Sequence, residues 1–145
     1  MNPLAAARLS PPGGQMATVK VTEENFEATV KQGIVVLDFG AAWCGPCRAF
    51  APVFEAASER HPDVVFGKVD TEADPGLAAA YEIRAIPTLM VLRDGVLLGA
   101  FPGMMPAAKI DELVGKVRAL DMDEVHRKLA EAEKSESRAA KAGAA

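Results

Sequence analysis

The amino-acid sequence predicts an α/β domain in which one mixed β-sheet carries helices on its faces. Three observations carry that expectation. Short apolar, β-branched runs alternate along the chain with stretches whose apolar residues recur at helical spacing. One run, residues 34–39, is apolar with little alternation, the mark of a strand covered on both faces. Late in the chain two apolar runs flank Arg93-Asp94-Gly95, a hairpin signal that adds an antiparallel pair to the sheet.

The elements follow in order. Residues 18–21 alternate like a short strand. Thr22, with Glu23 and Glu24 behind it, supplies a helix cap followed by acidic first-turn residues, and Phe26 and Val30 fall on one face of that helix. Gly33 closes it, and residues 34–39 form a central strand. Gly40 to Trp43 turns the chain into a helix over residues 44–60, with Phe50, Phe54 and Ala57 on one face; Pro52 is expected to bend it. Residues 64–70 read as the third strand. Asp74-Pro75 then places a cap residue before a proline at the first position of a short helix through Tyr81. Residues 88–92 and 96–101 pair as antiparallel neighbours, and Pro106 opens a helix in which Ile110, Leu113, Val114 and Val117 share a face. The resulting order is βαβαβαββα.

At 145 residues the chain suits one domain with tails. Residues 1–15 read as a flexible leader: Arg8 interrupts Leu4-Ala5-Ala6-Ala7 before it reaches the length of an export signal, and Ser10-Pro11-Pro12-Gly13-Gly14 follows. The domain occupies residues 16–120. From Asp121, which with Glu124 resembles a capping box, an extension over residues 121–145 begins. Met122, Val125, Leu129 and Ala132 give it a narrow apolar stripe, and Asp123 with Arg127 and Glu124 with Lys128 stand at supporting i, i+4 spacing. A short helix is expected, fraying beyond Ser135.

Composition excludes two partner classes. A net charge of -4 and a pI near 5.2 leave no basic stripe to neutralise phosphates, so no nucleic acid is expected. No apolar run approaches the roughly 20 residues that a membrane-spanning helix requires, so none is expected to cross a bilayer. The expected location is the cytoplasm, and the expected state a monomer.

The chemistry sits at Trp43-Cys44-Gly45-Pro46-Cys47, which holds both cysteines of the chain. A bridge between residues three apart closes a tiny loop and removes little chain entropy. It is therefore a bond to be made and broken. Cys44 lies at the start of a helix, where unpaired N–H groups and the helix dipole favour a thiolate, the form that attacks disulfides. One turn later, Cys47 is within reach of the same sulfur. Pro46 fits the first turn, where its missing N–H costs nothing. Zinc needs two further ligands, and His61 and His126 are isolated from the pair and from each other, so no metal is expected.

Over residues 16–120 the chain resembles the thioredoxin family in several separated stretches. Val36-Leu37-Asp38-Phe39 leads into Ala41-Ala42-Trp43-Cys44-Gly45-Pro46-Cys47; Lys68-Val69-Asp70 and Tyr81-Glu82-Ile83-Arg84-Ala85-Ile86-Pro87-Thr88-Leu89 follow, then Asp94-Gly95 and Gly103. The resemblance implies a thioredoxin fold, with Cys44 the attacking thiolate and Cys47 the resolving thiol. It implies that Asp38 is a buried carboxylate handling the proton of Cys47, with Lys68 modulating it; burial favours the neutral acid and raises the pKa. Read alone, Asp38 also suits a solvent-facing strand end. The resemblance makes Pro87 a cis-proline facing the cysteines, and makes Trp43, Gly45, Pro46, Ile86, Thr88, Gly103 and Met104 the collar on which partner proteins dock. Gly40 departs from the family, where an aromatic residue, usually Trp, is common; Arg48, Pro102 and the pair Met104-Met105 are lesser departures.

Two functions follow. The first is a protein-disulfide reductase that binds no cofactor of its own, acts on oxidised protein disulfides and receives electrons from NADPH through a thioredoxin reductase, as the resemblance implies. The alternative is a binding or chaperone-like subunit of the same fold that uses the C-terminal extension.

Overall fold

A computed structural model describes residues 17–144; the leader expected over residues 1–15 lies outside the described residues. The elements run β1 (Val19–Val21), α1 (Phe26–Val30), β2 (Ile34–Gly40), α2 (Gly45–Arg60), β3 (Val65–Asp70), α3 (Pro75–Ala80), β4 (Thr88–Arg93), β5 (Val96–Pro102), α4 (Ala107–Ala119) and α5 (Met122–Ala144). The sheet has the order β1-β3-β2-β4-β5, so the run read as a central strand is the middle of five. β1 and β2 lie parallel to β3, whereas β4 is antiparallel to both β2 and β5.

Strand alternation divides the core between the two faces. Val35, Leu37 and Phe39 of β2 join Val21, Phe26, Val30 and Leu77 on the face covered by α1 and α3. Val36 joins Phe50, Phe54, Ile110, Val114 and Val117 on the face of α2 and α4. Each fully buried side chain of this size contributes about 1.5–3 kcal/mol from removal of its apolar surface from water. The same alternation turns Asp38, two residues beyond Val36, toward the face of α2. That parity positions the chemistry.

The hairpin is as tight as its residues predict: Asp94 and Gly95 have φ of 52° and 81°, the left-handed pair of a two-residue turn. Their N–H groups donate to the carbonyls of Gly33 and Val30, which seats the turn on the end of α1.

Three expectations change. Thr22 caps a turn rather than α1 directly: its N–H donates to Asn25 Oδ1 at 2.8 Å, the Asn25 N–H returns a bond to Thr22 Oγ1 at 3.4 Å, and the helix starts only at Phe26. Asp74 stands at the cap position of α3 but accepts instead from the Glu23 N–H at 3.0 Å, while Glu23 Oε1 reaches back to the Gly76 N–H at 2.9 Å. The two loops thus cap one another. Finally, α5 does not end near Ser135 but continues to Ala144; its Ala-, Glu- and Lys-rich sequence has high helix propensity. Asp121 does cap it, accepting from the N–H groups of Asp123 and Glu124. Met122 and Val125 are half-buried, and residues 126–142 of the helix are exposed.

Candidate active site

Cys44 occupies the N-cap of α2 in an extended conformation, and its Sγ accepts the Cys47 N–H at 3.2 Å. This is the slot that a Ser or Asp side chain fills at an ordinary helix start. A thiolate here takes a charge-assisted bond from a donor that the helix leaves unpaired. Gly45 and Pro46 form the first turn, and a disulfide joins Cys44 to Cys47 with their Cα atoms 5.2 Å apart. Both cysteines are buried, packed with Ala41 and with Ile86, whose carbonyl oxygen lies 3.8 Å from Cys44 Sγ. Arg48 braces the loop through a 2.9 Å bond from Nη1 to the Ala42 carbonyl.

Behind the pair lies Asp38, only 5% exposed, which removes the reading of a solvent-facing strand end. Burial pushes its pKa up to about 6, and the attraction of Lys68 offsets part of that rise. Its Oδ1 has no hydrogen-bond partner among the described residues. Lys68 is the register partner of Asp38 on β3, and its ammonium reaches Glu55 Oε1 at 3.4 Å. A Cβ placed on Gly40 would stand 3.3 Å from Cys47 Sγ and 4.0 Å from Asp38 Oδ1, so the sulfur and the carboxyl converge on one point. A cavity of about 270 Å³ opens there, lined by Lys20, Asp38, Gly40, Cys47, Arg48 and Lys68 among others.

Around the cysteines lies an apolar rim. Trp43 is 67% and Met104 50% exposed, Gly45, Pro46 and Gly103 are exposed, and Ile86 is half-buried. The Ile86–Pro87 peptide is cis, and the Pro87 carbonyl accepts the Gly103 N–H at 2.8 Å, tying two parts of the rim together. Thr88 differs from its neighbours: its side chain is buried and its hydroxyl donates to the Ala85 carbonyl at 2.6 Å. It offers no side-chain contact at the surface. Among the described residues no group of three or more His, Cys, Asp and Glu is arranged to hold a metal ion.

Residues 17–116 match the family model for thioredoxin. The chain belongs to the thioredoxin family. It is 53% identical over 116 residues to a putative thioredoxin 2 of Streptomyces coelicolor, covering 79% of this chain and 87% of the relative. It is 40% identical over 104 residues to a thioredoxin of Staphylococcus aureus, covering 70% of this chain and 98% of the relative. Among solved structures it is similar to a mutant thioredoxin from Halobacterium salinarum, with a TM-score of 0.67, 28% identity and coverage of 72% of this chain and 93% of that one. A chloroplastic thioredoxin z is similar at a TM-score of 0.65 and 29% identity, with 71% and 96% covered. As a thioredoxin-family member with a joined Cys44–Cys47 pair, the chain is a thiol-disulfide oxidoreductase that works by dithiol/disulfide exchange.

Two charged residues escaped the sequence reading of this thioredoxin site. Glu55 holds Lys68, and its signal was present: Cys47, Ala51 and Glu55 recur every four residues on one helical face. Glu72 accepts the Trp43 indole N–H at 2.5 Å from the loop after β3, where Asp70 Oδ1 takes the N–H groups of Glu72 and Ala73. No local pattern marks Glu72, because only the pairing of β2 with β3 brings its loop beside Trp43.

Proposed function

We propose that the chain is a protein-disulfide reductase in which Cys44 attacks and Cys47 resolves. The carrying observation is the seat of Cys44 Sγ in the N-cap of α2, where it accepts the Cys47 N–H. A Cys44 thiolate attacks a substrate sulfur, forming a mixed disulfide and expelling the other substrate sulfur as a thiolate. Cys47 then gives its proton to the Asp38 carboxylate and attacks Cys44 Sγ; the second substrate sulfur leaves and the Cys44–Cys47 disulfide closes. A carboxyl with a pKa of about 6 is matched to that proton transfer near neutral pH. Lys68, held by Glu55, favours the ionised form that accepts the proton.

The substrates are oxidised protein disulfides docking on Trp43, Gly45, Pro46, Ile86, Gly103 and Met104, with Pro87 presenting nearby backbone to an extended segment. Exposed aromatic and Met surface beside a buried reactive sulfur supports this role. The protein acts as a cytoplasmic monomer without a bound cofactor, recharged from NADPH by a flavin-containing thioredoxin reductase. The domain spans residues 16–120, with residues 1–15 a leader and 121–145 an extension. Insulin reduction coupled to such a reductase tests the proposal. Turnover that disappears in Cys44→Ser supports it; absent wild-type turnover, or turnover unchanged in Cys44→Ser, refutes it.

A further inference from the structure

The cavity beside Gly40 is lined by Cys47 and not by Cys44, so it meets the disulfide from the Cys47 side. Any side chain at Gly40 would cover that sulfur, since its Cβ would already stand 3.3 Å from Sγ. The volume, about 270 Å³, falls just under the roughly 300–1,000 Å³ of ordinary small-ligand sites, so its occupant has only a handful of heavy atoms. Charge in the lining is uneven. Lys68 is paired with Glu55, and Asp70 Oδ1 is occupied by two backbone N–H groups. Lys20 and Arg48 have no carboxylate partner among the described residues; Arg48 bonds only a backbone carbonyl. Asp38 Oδ1 is buried, lines the cavity and lacks a donor.

We propose that this cavity is a second entrance to the exchange chemistry, admitting a low-molecular-weight thiol that bears a carboxylate or sulfonate and reduces the disulfide by attack on Cys47 Sγ. The inference rests on the exchange reading of the cysteine pair. The incoming S–H is the donor that Asp38 Oδ1 lacks: its proton passes to the carboxylate, and the thiolate attacks Cys47 Sγ. The new bond joins the small sulfur to Cys47. The Cys44–Cys47 bond breaks, and its electron pair leaves on Cys44. That leaving group is the favoured one, because the N-cap donor stabilises it as a thiolate and lower-pKa thiols leave faster. A second small thiolate then attacks the small sulfur of the mixed disulfide, releasing the small-molecule disulfide and a Cys47 thiolate that recovers the proton held by Asp38. The second thiol's own proton passes to solvent or to Cys44. Two small thiols are oxidised and one protein disulfide is reduced. Lys20 and Arg48 attract the acidic group of the thiol.

The test reduces the oxidised full-length chain with mercaptoethanesulfonate, mercaptoethanol or cysteamine at equal thiolate concentration, followed by Trp43 fluorescence. The anionic thiol is expected to react about tenfold faster than the neutral one, with the cationic thiol slowest. Gly40→Leu, which plugs the cavity, is expected to abolish the preference. Lys20→Glu, an exposed residue outside the cysteine machinery, is expected to remove most of it and keeps the test decisive if Gly40→Leu does not fold. Acid quenching and peptide mapping are expected to find the mixed disulfide on Cys47. Equal rates for the three thiols, or an adduct on Cys44, overturn the proposal. Insulin turnover measured on the same preparations separates the cases: lost turnover indicts the exchange reading, whereas intact turnover without charge preference overturns only the second entrance.

Discussion

The indole N–H of Trp43 donates to the carboxylate of Glu72, 29 positions further along the chain, although the ring is two-thirds exposed. An exposed indole with one fixed edge presents its apolar face to a partner in a single orientation, so less rotamer entropy is lost when the partner docks. Glu72→Ala is expected to raise KM for a protein disulfide about fivefold with kcat little changed, equivalent to the ~1 kcal/mol of one hydrogen bond. Steady-state insulin reduction reads the split, and time-resolved Trp43 anisotropy is expected to show a more mobile indole.

Asp38 sets a pH dependence whose sign is fixed by its raised pKa. The folded chain binds this proton more tightly than the unfolded one, so stability declines as pH rises from the ordinary 3.8 to about 6 and is level above that. Keeping the carboxylate buried costs on the order of 3 kcal/mol near neutrality. Asp38→Asn is therefore expected to be more stable than the wild type by up to about that amount near neutral pH, with the advantage gone below 3.8. Urea unfolding across the range measures it. The same variant is expected to resolve mixed disulfides more slowly, seen as their accumulation in rapid-quench experiments.

At the opposite end of α2, His61 Nε2 lies 2.7 Å from Asp111 Oδ1, Arg60 also reaches Asp111, and Arg118 grips Asp63 with two nitrogens. The Arg118 bond holds the Asp63 carboxyl below its ordinary range, and the His61 and Arg60 bonds do the same for Asp111. Their stabilisation is therefore present above the ordinary carboxylate pKa and is lost as pH falls through the lowered values, opposite in sign to Asp38. Because these groups are largely exposed, a double-mutant cycle on Arg118 and Asp63 is expected to give under about 1 kcal/mol of coupling, shrinking further in high salt.

Gly95 has φ of 81° in the hairpin turn, a conformation that costs a side-chain-bearing residue roughly 1–2 kcal/mol. Gly95→Ala is expected to lose about that much stability in thermal or urea unfolding, without a change in the thiol chemistry.

Truncation separates the two portions of α5. Ending the chain after Lys128 removes helix that is exposed over residues 129–142 and is expected to change stability by less than about 0.5 kcal/mol. Ending it after Leu120 also removes the half-buried Met122 and Val125, with a measurably larger loss. Retained insulin turnover in both leaves the extension outside the exchange chemistry; a binding partner lost only with the longer deletion favours the alternative role as an interaction device.

Much of this was legible because periodicity reports burial directly. The non-alternating run of β2, the helical face of α4 and the Asp94-Gly95 turn each appear in the sequence as they stand in the fold. The cysteine pair was legible because its helix start is local. What stayed hidden depends on contacts between distant segments. Asp74 next to Pro75 looks like a cap, yet it is claimed by the Glu23 backbone 51 residues away. Glu72 gains its role only from its position across from Trp43. The cavity that Cys47 lines beside Gly40 takes its walls from three strands and a helix, so its lining emerges only in the fold.

The crossed caps of Glu23 and Asp74 bear on how the molecule opens locally. Each carboxylate holds a backbone N–H of the other loop, so opening either loop frees an N–H group in both. Amide exchange at Glu23 and Gly76 is accordingly expected to proceed at a shared rate, as one opening unit that joins segments 53 residues apart.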